Sequence, residues 1–347
     1  MENTEHENYL FKSILKDSPS CESFSFDEYK NVSPSFYKDF KEQLLIEYWG
    51  KELTDIDGSR VIDTQFGETL QIVQKEKIDF ELTQNNFKSQ MNHNLKLLPK
   101  IGIKTEENLK KKGFNTIESL LQHDSHRKNA KIFLDNIDSM SFSEILDLLN
   151  SNKYGKDCKD NLIKCISLNN REDFKFMDIE TLGLSNVPII LIGIAEIKGN
   201  SIISSQYFLR NMEEEIAVLD GYFAHLDENS VHVTFNGKTF DVPFIKNRIN
   251  YHRLDVDFNY PHLDLMYFAK YLWRNELPNC QLQTIEKYKF GIERVDDVPG
   301  QYIPGYYNTY LSQKNIGPMI PIIEHNRQDI ISLAYFLLKM YEEVNYE

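Results

Sequence analysis

With 347 residues, 41% of them hydrophobic and 27% charged, the chain has globular rather than disordered usage and room for about two domains. A formal charge of −14 excludes passive coating of nucleic acid, so any such contact must come from a local basic patch. The longest apolar run, Val187–Ala195, is far short of the ~18 residues of a membrane helix. The stretch Met1–Glu5 has neither the basic start nor the apolar region of a secretory signal. A cytoplasmic chain with no membrane partner is therefore expected.

In chain order, residues 1–94 form an N-terminal α+β segment with no chemistry of its own. The spacing predicts a helix over 37–50 and two strands within 61–82, on either side of Phe66-Gly67. Their expected job is to pack against the later domains. Residues 95–168 form a small helical domain. A helix over 106–112 is stopped by Gly113, and Asn115 with Glu118 would cap a second one over 117–122. Basic residues crowd this stretch: Lys96, Lys100, Lys104, Lys110, Lys111, Lys112, Arg127, Lys128 and Lys131, against Glu106, Glu107, Glu118 and Asp124. It is the local basic patch that an acidic nucleic-acid-binding chain would need, although a helical adaptor with solvated lysines has the same composition.

From Phe174 the pattern becomes strand and helix in alternation. Strands are predicted over 175–180, 189–197, 202–209 and 231–235. Helices are predicted over 213–226, 240–251, 265–273, 281–288 and 321–344. Three early strands followed by alternating elements predict a mixed α/β sheet with helices on both faces. The four cysteines, Cys21, Cys158, Cys165 and Cys280, contain no CxxC pair. Disulfides and zinc are accordingly disfavoured; buried free thiols are expected, with a scattered iron–sulfur set as the alternative.

Three groups of acids carry the chemistry. Asp178 and Glu180 are two apart on a strand and share a face, while Met177 and Ile179 turn to the core. Paired carboxylates repel unless a cation sits between them, and hard oxygen donors favour Mg²⁺ or Mn²⁺. Asp241 falls in the first turn of a helix, after a strand that ends near Asn236. The helix dipole alone would also explain an acid there. His325 and Asp329 are four apart on the closing helix and share a face; a satisfied histidine beside a salt-bridged aspartate is the simpler alternative. Asp264 can be a helix N-cap or a further group of the site.

As an ordered set, DIETLGL at 178–184, NGKTFD at 236–241 and His-x₃-Asp at 325–329 resemble the DEDD (DnaQ-like) 3′–5′ exonucleases. The stretches HLDL at 262–265, Ile285-Glu286, Asp297–Gly300 and His325-Asn326 resemble the YprB-like ribonuclease-H-fold branch. Residues 97–122 resemble a helix-hairpin-helix motif, which commonly precedes the nuclease in that branch. Lys100 stands where the motif has glycine, and Glu106 where it has a small residue.

The resemblance implies a ribonuclease H-like exonuclease domain over 169–347 that hydrolyses phosphodiester bonds at single-stranded or frayed DNA or RNA ends. It implies Asp178, Glu180, Asp241 and Asp329 as ligands of two Mg²⁺ or Mn²⁺ ions, with Asp178 bridging. His325 matches the residue that deprotonates the attacking water, although its four-residue spacing to Asp329 is that of the tyrosine subclass. Thr181, Leu182, Asn236 and Phe240 would lie at the substrate, with core packing the alternative for Phe240. Lys100, Gly102, Lys104, Lys110, Lys111 and Lys112 would contact nucleic acid. An endonuclease on the same fold, or a catalytically silent nucleic-acid-binding or scaffold protein, are the other functions this sequence could serve.

Overall fold

The computed structural model describes residues 34–82, 87–151, 156–294 and 296–346. The strands are β1 Ser59–Thr64, β2 Gly67–Lys77, β3 Phe174–Thr181, β4 Ile189–Lys198, β5 Ser201–Phe208, β6 Val231–Thr234 and β7 His262–Asp264. The helices are α1 Pro34–Glu47, α2 Phe87–Met91, α3 Ile103–Lys111, α4 Arg127–Ile137, α5 Phe142–Ser151, α6 Lys156–Lys164, α7 Glu215–Phe223, α8 Asp241–His252, α9 Leu265–Leu272, α10 Leu282–Ile285, α11 Ile303–Gln313 and α12 Ile320–Tyr346.

The strands make one mixed sheet in the order β1-β2-β5-β4-β3-β6-β7. The central β3 runs antiparallel to β4 and parallel to β6, which is parallel in turn to β7. Strands β3 and β4 (FKFMDIET and IILIGIAEIK) are buried almost end to end, because helices cover both faces of the sheet. One face packs Phe174, Phe176 and Ala195 against Ile330, Ala334 and Leu337 of α12. The other packs Met177, Ile179 and Ile192 against Val218 and Leu219 of α7 and Ile245 of α8. The expected mixed sheet with helices on both faces is the observed one.

The hairpin β1–β2 lengthens this same sheet. Strand β2 pairs antiparallel with β5, from Leu70↔Phe208 to Lys77↔Ser201. Helix α1 buries Tyr37, Phe40 and Leu44, at helical spacing, in the core shared with α11. Tyr306 Oη donates to Tyr37 O at 2.7 Å, and a Cβ at Gly317 would meet Leu44 O at 2.3 Å. The early residues therefore pack on the later ones, as expected of them. The helical segment is likewise continuous with the sheet's core through Leu98, Leu109, Ile145 and Ile163. Tyr271 Oη of α9 donates to Asp160 Oδ1 of α6 at 2.7 Å.

Local expectations fail where polar turns compete with helix. The helix expected over 117–122 is only the 3₁₀ turn Ser119–Gln122. Thr116 and Ser119 cap each other there, with Ser119 N donating to Thr116 Oγ1 at 3.1 Å and Thr116 N to Ser119 Oγ at 3.2 Å. This exchange replaces the cap expected of Asn115 and Glu118. The helix expected over 281–288 is α10 followed by a π turn, Glu286–Phe290, which ends at Gly291 with φ 69°. Helix α11 was not expected, because its opening Ile-Pro-Gly reads as a turn, yet proline is well placed in a first helical turn. Cys165 is buried and Cys280 half-buried, both as free thiols; Cys21 lies outside the described residues.

Two buried histidines give the fold a pH signature. Burial, first of all, depresses His232 of β6 and His262 of β7 to about 3. The unfolded chain takes up protons below pH ~6.5 that the folded chain refuses, so this contribution is complete above that pH and is lost as pH falls toward 3. His262→Gln keeps a partner for Thr234 Oγ1, which now meets Nε2 at 2.8 Å. Its stability deficit relative to the parent should narrow by about 2 kcal/mol between pH 7 and pH 5, measured by urea unfolding. An unchanged deficit would show that His262 titrates normally.

Candidate active site

The site forms where β3 outruns its parallel neighbour. Strand β6 pairs with β3 only over Phe174–Phe176, so the far end of β3 lacks a partner on that side. Ile179 N there donates to Asp241 Oδ1 of α8 at 3.2 Å. Asp241 thereby lies beside the two β3 acids, and Asp178 and Glu180 face α12 on the opposite side of the strand from Met177 and Ile179.

Helix α12 brings the remaining groups. Asn326 Nδ2 donates to Asp178 Oδ2 at 2.9 Å and to Asp178 O at 3.1 Å. Its Oδ1 accepts from Gln206 Nε2 of β5 at 2.9 Å. Gly193 of β4, opposite Asp178, leaves room for this amide: a Cβ there would stand 2.2 Å from Asn326 Oδ1. His325 Nε2 stands 3.9 Å from Glu180 Oε1 and 3.5 Å from Asp329 Oδ2. Its Nδ1 is held by Asp297, which also accepts from Gln283 Nε2 at 2.6 Å. Asp329 is bound by Arg294, whose guanidinium is held in turn by Glu286 at 2.7 and 2.8 Å.

The electrostatics follow from this geometry. Burial, then the neighbouring acids, pushes Asp178 well above the carboxylate range, Glu180 to about 8 and Asp241 to about 7. Burial opposes charge on His325, but Asp297 and Asp329 outweigh it and hold the ring well above its ordinary value. The same ion pair holds Asp297 down at about 2 against its burial. By donor chemistry, Asp178, Glu180 and Asp241 suit a hard divalent cation. Neither a one-ion nor a two-ion sphere is preformed: among the described residues no three acids, histidines or cysteines are disposed to hold a metal ion, so these acids would have to draw together on a cation. Asp329 faces a guanidinium instead.

The other expected site residues divide. Thr181 turns its hydroxyl to Gly183 O at 2.7 Å, and Asn236, at φ 67°, accepts Thr239 Oγ1 at 2.8 Å within its own turn. Leu182 and Phe240 are half-buried against the core, Phe240 with its ring 5.5 Å from that of Phe244. Asp264 is the N-cap: it accepts from Met266 N at 3.2 Å, and also from Asn236 N at 2.8 Å and Lys238 N at 3.1 Å, which fixes the loop before Asp241. Sequence reasoning gave no role to Asn326, Asp297, Arg294, Glu286 or Gly193. Asn326 and Asp297 lie in stretches that resemble the YprB-like branch, so the signal was present there without its meaning.

In the helical segment, Lys100 takes φ 68°, the backbone that the motif's glycine would supply, and Gly102 is the N-cap of α3. Lys100, Lys104, Lys111 and Lys112 are exposed. Lys110 reaches Glu106 at 3.1 Å, and Glu106, buried, also accepts from Leu95 N at 3.1 Å. The residue standing where the motif is small thus ties the chain at Leu95 to α3. Lys100→Gly should raise stability by about 0.5–1 kcal/mol in denaturant unfolding, since it relieves a left-handed non-glycine residue. A loss of stability would mean that the lysine side chain makes a stabilising contact.

Residues 175–341 match the RNase_H superfamily profile. The chain is 29% identical over 180 residues to the uncharacterized protein YprB of Bacillus subtilis (strain 168). That similarity covers 50% of this chain and 43% of the relative, so the chain spans less than half the length of the protein it matches. Among the described residues, no helix is long and apolar enough to cross a membrane. Sheet order and superfamily match agree: the fold is ribonuclease H-like, and the superfamily points to nuclease-type chemistry.

Proposed function

We propose that this chain is a divalent-metal-dependent 3′–5′ exonuclease acting on single-stranded or frayed ends of DNA or RNA. The observation that supports it best is the meeting of Asp178, Glu180 and Asp241 with His325 and Asp329 at the open end of β3, on a ribonuclease H-like sheet. Three carboxylates, Glu180 and Asp241 buried and Asp178 half-buried, whose affinities for protons are raised together are an arrangement that costs folding energy and calls for a cation. Asp178, Glu180 and Asp241 would hold Mg²⁺ or Mn²⁺. Such an ion supplies a Lewis acid that activates water and draws charge from the scissile phosphate.

The chain's own residues do the rest. Asn326 fixes the carboxylate of Asp178 in one orientation. Asp297 holds the Nδ1 side of His325 and leaves Nε2 facing Glu180 and Asp329, where it can give or take a proton at the substrate. Asp264 sets the loop that delivers Asp241. The basic hairpin segment would hold the phosphate backbone away from the reacting end.

The deciding experiment is digestion of 3′-labelled and 5′-labelled single-stranded DNA and RNA with Mn²⁺, with product lengths resolved. A 5′-label that shortens one nucleotide at a time supports the exonuclease. Internal cuts would replace it with the endonuclease, and binding without cleavage with a silent binding protein. Converting Lys100, Lys104, Lys111 and Lys112 to Glu should weaken binding to any sequence and flatten the salt dependence. For every phosphate that the chain no longer neutralises, the log–log slope falls by about 0.7–0.9. An unaltered slope would make the segment an adaptor.

A further inference from the structure

We propose that Arg294 is a built-in cation of the acid cluster, so that the chain holds one divalent ion, on Asp178, Glu180 and Asp241, while Asp329 stays with the guanidinium. The proposal deepens the metal-dependent reading and narrows the two ions expected from the sequence to one.

Arg294 lies in the irregular stretch between the π turn and α11 and is 4% exposed on its side chain. Its Nε and Nη2 grip the two oxygens of Glu286 at 2.7 and 2.8 Å, the planar fork that arginine alone can offer a carboxylate. Glu286 is fully buried and accepts a further bond from the Ser332 hydroxyl of α12. Withdrawing the guanidinium would leave that carboxylate buried without its cation, so Arg294 cannot retreat cheaply. From this fixed position Nη2 binds Asp329, and Nη1 lies 3.3 Å from His325 Nδ1.

The four acids are therefore unequal. Asp329 has an arginine. The partners of Asp178 and Asp241 are the neutral donors Asn326 and Ile179 N, and Glu180 has His325 at 3.9 Å. Among the described residues no lysine or arginine forms an ion pair with Asp178, Glu180 or Asp241. Three carboxylates against one dication leave a small residual charge. A second dication shared with Asp329 would have to take that carboxylate from Arg294, and would then stand against a positive charge that Glu286 holds in place. At so short a range that repulsion is strong.

The test is a Mn²⁺ titration of the full chain followed by electron paramagnetic resonance, with and without saturating nucleoside 5′-monophosphate. The expected result is one Mn²⁺ per chain with no exchange-coupled pair, abolished by Asp178→Asn. Arg294→Gln should take up two ions as a coupled pair, and Arg294→Lys, which keeps the charge, should stay at one. Two ions in the parent chain, none, or a single ion in folded Arg294→Gln would each overturn the proposal. If Arg294→Gln does not fold by circular dichroism, the parent's count decides alone: one ion sustains the proposal and two overturn it. Cleavage is scored separately. A chain that binds one Mn²⁺ and cuts nothing retains this site and loses the exonuclease reading, whereas one that cuts and holds two does the reverse.

Discussion

Asp178→Asn should abolish cleavage and at the same time raise the melting temperature of the metal-free chain. Asp178 is half-buried, its desolvation opposes ionisation, and its neighbours Asp329, Asp241 and Glu180 oppose it further. For each of the three raised acids the folded value lies above the unfolded one. Their stabilising effect is therefore complete below about pH 4 and is lost as pH rises toward 7 and 8, the values to which Asp241 and Glu180 are pushed. At neutral pH the clustered acids are a liability. An asparagine keeps the shape and the bond from Asn326, and removes one repelling charge. We expect a gain on the order of 1–3 kcal/mol, or a few degrees in Tm, together with at least a ~10³-fold loss of activity. Retained activity would dismiss the site, and an unchanged Tm would mean that the acids are not strained against one another. In the parent chain, added Mn²⁺ should raise Tm, and in the variant it should do so much less.

What could be read in the sequence was whatever depends on short-range spacing. The i, i+2 acids of β3 and the i, i+4 pair of α12 are consequences of strand and helix geometry, and both are observed on one face. The mixed sheet followed from the order of the elements, and Asp264 as an N-cap from its place before Leu265. What could not be read depends on contacts across the fold. Asp297 reaches His325 over 28 residues, Asn326 reaches Asp178 over 148, and Arg294 reaches Asp329 over 35 from a stretch with no regular period. The setting of His325 was hidden for the same reason: its spacing to Asp329 was visible, but the second carboxylate, which holds its Nδ1, was not. The segment before residue 95 offered no chemistry, yet its hairpin pairs with β5, because edge pairing depends on register between strands 124 or more residues apart.

Gly193 is where the sheet and the site constrain each other most tightly, and Gly193→Ala should damage both. The glycine has ordinary strand backbone; what it supplies is space. Its new Cβ would stand 2.2 Å from Asn326 Oδ1 and 3.0 Å from Cγ, a distance that atoms in contact do not adopt. Asn326 cannot swing aside freely, since Gln206 holds its oxygen and Asp178 its nitrogen, so the strain must move α12 off the sheet or release Asp178. Overpacking of this kind costs about 1–3 kcal/mol. A displacement of the order of 1 Å at a reacting carboxylate can cost 10²-fold in rate. The double variant Gly193→Ala/Asn326→Ala separates the two effects. With the clash removed, stability should return part of the way in urea unfolding, but activity should not, because Asp178 still lacks the amide that orients it. If activity returned together with stability, Asn326 would be a packing residue, and the carboxylate would be held by something other than α12.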